Sequence, residues 1–233
     1  MIAIDRRCCL IGAGALILAP GATAAAEARV YDYLFVDLQA APGAPPSQAF
    51  ATHVKAAGLE KAGGAALGLF TPQIGWRANQ AALLVGWTPE SAGRDAAMAA
   101  LAKAPGVRSA ERHRLRATVR PAAADAPKPG GIYVHRWFTI ATPSLAEFVD
   151  LSTTGWRDFE ARFEADIFGL FTAEPTPQDN AAGQTRLLLL TRYKDHGVWE
   201  ESRNPTTDAM AAFRRRQLLT KETWNDSTLL APL

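Results

Sequence analysis

The first alternating segment of the chain is Val30 to Asp37. Val30, Leu34 and Val36 share one face, and Tyr31, Tyr33 and Phe35 the other. A Pro/Gly loop from Pro42 to Pro46 separates this strand from a helical stretch running from Ser47 to about Ala62. Ala65 to Thr71 and Gln80 to Trp87 read as two strands joined by a turn. Pro89 suits a helix start, Pro105-Gly106 ends that helix at about Ala104, and Ser109 to Val119 alternates as a fourth strand. The order is βαββαβ.

The second half repeats it. Ile132 to Ile140 reads as a strand, and Thr142-Pro143 as a cap and first position of a helix. Along that helix Leu145, Phe148, Val149, Trp156, Phe159 and Phe163 fall on one face, with Gly155 as an interruption. Asp166 to Thr172 and Gln184 to Lys194 follow as strands, then helical sequence from about His196 to Leu219. The last strand is placed near Glu222 to Leu230, weakened by Asn225 and Asp226.

The halves also share residues. Gly68-Leu69-Phe70-Thr71 recurs as Gly169-Leu170-Phe171-Thr172, 101 residues later. Val30-Tyr31 matches Ile132-Tyr133 at a similar offset, and Leu83-Leu84-Val85 matches Leu188-Leu189-Leu190. Pro121 to Gly130, rich in Pro, Ala and Gly, reads as a linker between a first unit over 29–120 and a second over 131–233. The predicted class is α+β, two tandem ferredoxin-like units. Each leaves one sheet face uncovered, and packing sheet to sheet covers both in a barrel-like body.

Tyr133-Val134-His135-Arg136-Trp137-Phe138, followed by Glu147 to Ser152 and Gly155-Trp156, resembles the NIPSNAP family of dimeric α/β-barrel proteins. The resemblance covers the second unit better than the first. It implies the fold reached above, as an internal pseudo-dimer, and it implies no set of catalytic residues.

Aliphatic positions on the first strand of each unit suit helix packing. Tyr31, Tyr33, Phe35, Tyr133, His135 and Trp137 then face the space between the sheets. This mostly aromatic lining suits a small apolar or aromatic ligand; the plainer alternative is a filled interface. Arg136 is out of place on the aliphatic face. His135 is the candidate acid-base residue, since an ordinary imidazole exchanges protons near neutrality, with Tyr33 or Tyr133 as orienting hydroxyls. A hydrogen-bonded structural role is its alternative. His53, His113 and His196 show no carboxylate or histidine at metal spacing, so no metal site is predicted. Arg112, Arg114, Arg116 and Arg120 read as charged protection of a sheet edge, and Arg214-Arg215-Arg216 as a wet helix face.

Composition narrows the remaining choices. With 48% hydrophobic and 21% charged residues the chain is globular, and a net charge of +2 gives no field calling for nucleic acid. Phosphate-loop and serine-nucleophile motifs are missing. The first 26 residues read as an export leader, with Arg6-Arg7, an apolar run from Cys9 to Ala19, and Ala-x-Ala sites after Pro20-Gly21. The arginine pair loosely fits a twin-arginine signal. Cys8 and Cys9 are the only cysteines, so a cleaved, periplasmic or secreted protein has no disulfide or thiolate chemistry.

The expectation is an exported protein, not stably inserted in a membrane, that binds a small apolar or aromatic molecule or a protein partner between its sheets without a cofactor. It is a monomer with an internal pseudo-dimer, or a homodimer. The rival reading is a cofactor-independent monooxygenase or lyase with His135 as base, and a third is a haem protein with His135 as axial ligand.

Overall fold

A computed structural model describes residues 29–40, 43–203 and 208–233; the leader-like segment, with its two cysteines and Arg6-Arg7, lies outside the described residues. Among the described residues eight strands are formed: β1 (Val30–Leu38), β2 (Gly64–Ile74), β3 (Gln80–Trp87), β4 (Val107–Ala117), β5 (Ile132–Ala141), β6 (Ala165–Ala173), β7 (Gln184–Tyr193) and β8 (Thr220–Ala231). The helices are α1 (Pro46–Ala56), α2 (Arg94–Ala102), α3 (Leu145–Arg162), α4 (Pro177–Ala181), α5 (His196–Glu201) and α6 (Asp208–Leu218).

The strands close into one antiparallel barrel in the order β1-β3-β2-β8-β5-β7-β6-β4, with β4 returning to β1. Each half contributes the ferredoxin-like order, fourth strand, first, third, second. The predicted covering of one sheet by the other is achieved by edge pairing. β2 pairs with β8 from Leu69↔Ala231 to Ile74↔Ser227, and β4 pairs with β6 from Leu115↔Ala173 to Ala117↔Phe171. Closure is partial along β4, which meets β6 only from Leu115 to Ala117. Arg112 and Arg114 of β4, beside this short seam, are held by carboxylates. Arg112 pairs with the fully buried Asp32, Arg114 with Asp95, and Arg120, just beyond the strand, with Glu160.

The repeated Gly-Leu-Phe-Thr segment acquires a structural meaning. Gly68 and Gly169 each follow a register shift, in β2 against β3 and in β6 against β7. A Cβ at Gly68 would lie 2.7 Å from Leu230 Cδ1, and one at Gly169 2.6 Å from Pro121 Cδ and 2.8 Å from Phe171 Cζ. The bulges need glycine because rings and neighbouring side chains crowd that backbone. Phe70 and Phe171, two residues on, point into the barrel and cross between halves. Phe70 meets Tyr133 with ring centroids 5.2 Å apart, and Phe171 meets Tyr31 at 5.1 Å. Leu84, Leu115, Trp137, Leu188 and Leu190 complete this interior.

Helices cover the outer surface. Phe50, Val54, Met98 and Leu101 pack on Leu34, Val36, Leu83 and Val85. Phe148, Trp156 and Phe159 pack on Phe138, Ile140, Leu187 and Leu189. The alternation read on β1 and β5 thus divides the two faces as observed. Several helices depart from expectation. The Ser47–Ala62 stretch breaks at Gly58, which takes φ +63° and starts a 3-10 turn at Leu59. α2 begins at Arg94 because Thr88 and Ser91 form a turn, the Ser91 hydroxyl donating to the Gly63 carbonyl. α3 runs through Gly155 without a break, since a Cβ there would lie 2.4 Å from the Phe213 ring of α6.

Candidate functional site

Inside the barrel, β1 and β5 bring Tyr33 and His135 together. The Thr228 hydroxyl donates to the Tyr133 carbonyl (3.2 Å), so it accepts from His135 Nε2–H (2.9 Å). His135 Nδ1 then accepts from the Tyr33 hydroxyl at 2.8 Å. Both ring nitrogens are thereby occupied, and the edges of Phe70 and Trp76 meet the imidazole with centroids 4.7 and 5.0 Å away. The ring is fully buried, which pushes its pKa down to about 3 and keeps it neutral. Burial also pushes the Tyr33 phenol well up. Towards one barrel end, Trp137 lies between the His113 ring (4.8 Å) and Trp224 (6.0 Å, nearly parallel). His113 meets the Glu111 carboxylate at 3.2 Å, a same-face neighbour two residues away on the strand. Phe35 stays partly buried, in edge contact with Trp76.

A cavity of about 250 Å³ lies on the opposite, outer face of the second sheet, under α3, α5 and α6. Its floor is Val134 and Arg136 of β5, Ile167 of β6, Leu189, Thr191 and Tyr193 of β7 and Asn225 of β8. Trp156, Phe159, Trp199, Met210 and Phe213 form the apolar walls. Arg203, Arg214 and Arg216 also line it, and among the described residues none of the lining is acidic. Arg136 donates through Nε to Thr223 Oγ1 (3.2 Å) and through Nη2 to Gln217 Oε1 (3.3 Å). Its guanidinium and that of Arg216 lie 4.9 and 5.0 Å from the same Phe138 ring. Burial and the neighbouring Arg136 push Arg216 down to about 9, so it stays charged at neutral pH.

No family model and no curated protein matches this chain. Solved structures do. An anthrone oxidase-like protein superposes with a TM-score of 0.56 at 10% identity, covering 89% of this chain and 93% of its own. A putative monooxygenase from Fusobacterium nucleatum gives 0.58 at 9% identity, with 88% and 94% covered. A mutant chlorite dismutase from Candidatus Nitrospira defluvii gives 0.57 at 8%, with 87% and 92% covered. The fold is that of the dimeric α/β barrels. At such identities the likeness concerns the fold, and function has to be argued from the site.

Within this barrel Tyr31, Tyr33, Tyr133, His135 and Trp137 do share the interior, with Phe35 at its edge. Sequence reasoning did not single out the outer cavity. One signal pointed there, Arg136 on an aliphatic strand face. Arg216 was obscured by Arg214 and Arg215, because a run of three arginines reads as solvated. Arg216 is instead 5% exposed, as helical rotation turns it inward. Among the described residues, no group of three or more His, Cys, Asp or Glu is placed to hold a metal. No helix among them is long and apolar enough to cross a membrane.

Proposed function

We propose that this is an exported α/β-barrel protein that binds a small apolar or aromatic molecule in the cavity between the second sheet and its helices. The observation that carries the reading is the combination of aromatic walls with a few polar groups in a concave site. At about 250 Å³ it lies just below the ~300–1,000 Å³ usual for drug-sized ligands, so it suits a compact one. Export rests on the leader-like first 26 residues, and the NIPSNAP resemblance is compatible with a binding role.

Trp156 and Trp199 report on the cavity directly. Titrating the purified protein with naphthalene and indole derivatives is expected to change tryptophan emission and raise the thermal midpoint. Met210→Trp, which narrows the cavity, is expected to abolish both effects. Binding undisturbed by Met210→Trp would place the ligand elsewhere and defeat this reading.

A second reading, a cofactor-independent oxygenase or lyase, is supported by structural neighbours such as the putative monooxygenase. It assigns His135 as base and Tyr33 as the orienting hydroxyl, and it requires Tyr33 to release Nδ1. Oxygen uptake with electron-rich phenols, lost in His135→Ala, would support it. Uptake unchanged in His135→Ala would remove His135 from any such reaction.

A further inference from the structure

Arginines elsewhere in the described structure that lose much of their solvent find a carboxylate. Arg94 and Arg112 share Asp32, Arg186 takes Asp179, and Arg192 takes Asp166. Arg216 is more buried than any of these, yet among the described residues its hydrogen-bonding partner is the Ser152 hydroxyl at 3.2 Å. That hydroxyl is uncharged and already donates to the Phe148 carbonyl. The guanidinium otherwise rests on the rings of Phe138, Phe148 and Phe213, 4.7–5.4 Å from their centroids. Ring faces attract a cation but carry no net charge, and they leave guanidinium donors unused. An ion without a counter-ion is strongly disfavoured in such surroundings, so the arrangement is one charge short of balance.

Arg136 shares that deficit. It lies against the same Phe138 ring, and among the described residues no aspartate or glutamate lines the space. Unused guanidinium donors and unbalanced positive charge on apolar walls are the complement of one kind of molecule.

We infer that the ligand of this cavity is an apolar or aromatic carboxylate whose head group takes Arg216 as its counter-ion. The inference rests on the cavity being the ligand site. The planar fork of a guanidinium matches a carboxylate, and a monoanion is cheaper to desolvate here than a phosphate dianion. Gln217, Asn225 and Thr191 offer neutral polar contacts on the lining.

The test uses matched probes, 2-naphthoate against 2-naphthylmethanol and octanoate against octanol, titrated into the full-length protein by calorimetry and tryptophan emission. Wild type is expected to bind each carboxylate at least tenfold more tightly than its alcohol. Arg216→Met, and Arg216→Gln as a variant that keeps a donor near Ser152, are expected to lose this preference while still binding the alcohols. Arg215→Met, at an exposed arginine paired with Glu147, is expected to behave as wild type. Equal binding of acid and alcohol by wild type would overturn the anion inference and leave the binding site standing. A preference retained in both Arg216 variants would overturn it equally. Binding of neither probe class at millimolar concentration would overturn the cavity reading and the inference together.

Discussion

A histidine buried in neutral form couples its own protonation to unfolding. His135 has an ordinary pKa near 6.5 when the chain is unfolded and about 3 in the folded barrel, burial being the cause. Between those values the unfolded chain binds the extra proton, so stability falls as pH drops from about 6.5 towards 3 and is unaffected above that window. The full effect is on the order of several kcal/mol at its acid end. Asp226, whose pKa is raised by burial, opposes it by gaining stability in acid. Comparison with His135→Gln isolates the histidine: urea midpoints of wild type should fall more steeply from pH 7 to pH 4 than those of the variant. Parallel slopes would mean the imidazole is not held neutral. Glycines at the repeated bulges offer a second check at this scale. Gly169→Ala places a methyl against Pro121 and the Phe171 ring and is expected to cost about 1–3 kcal/mol in urea unfolding. The exposed turn glycine Gly106, where a Cβ meets nothing, offers a strain-only comparison.

Elements were legible where burial repeats with a period and less so where single side chains decide. The eight strands and the two-faced character of β1 and β5 followed from alternation, because one face meets helices and the other the barrel interior. α4 was passed over although Thr176 and Asp179 carry a capping box, with both reciprocal bonds formed. Five residues give no apolar period, so only the cap could have revealed it. β8 extends through Asn225 and Asp226 against their propensity, since Asp226 faces Trp76 inside the barrel and Asn225 lines the outer cavity. Asp32 shows how charge fastens elements: from β1 it accepts from Arg94 of α2 at 2.8 and 3.1 Å and from Arg112 of β4 at 2.8 and 2.9 Å. Asp32→Ala leaves both guanidiniums without their shared carboxylate. It is expected to lower unfolding free energy by about 3–5 kcal/mol, more than Asp95→Ala at the exposed end of the same cluster. Equal losses from the two variants in denaturant titrations would show that burial of Asp32 carries no special weight.

For the whole molecule, duplication was visible in Gly-Leu-Phe-Thr, whereas the cavity was not, because Arg136, Trp156 and Arg216 come from β5, α3 and α6. No local pattern joins residues that meet only after a strand and two helices have packed. The barrel itself makes a sharper demand. Each half ends in two unpaired edges, β2 and β4 or β6 and β8, and each exposes an aromatic face that the other fills through Tyr31–Phe171 and Phe70–Tyr133. A half alone leaves these edges and rings in water, which favours self-association. Residues 29–120 and 131–233 expressed separately are therefore expected to aggregate or to form homodimers through second-to-fourth-strand pairing. Expressed together they should recover a one-to-one complex. The pairing of unlike halves should prevail, since His135 of one half finds Tyr33 in the other. Size-exclusion chromatography with mass detection distinguishes these outcomes. Tyr33→Phe should weaken the mixed complex relative to either homodimer. An isolated half that remained monomeric with a cooperative unfolding transition would show that each unit is stable without closing the barrel.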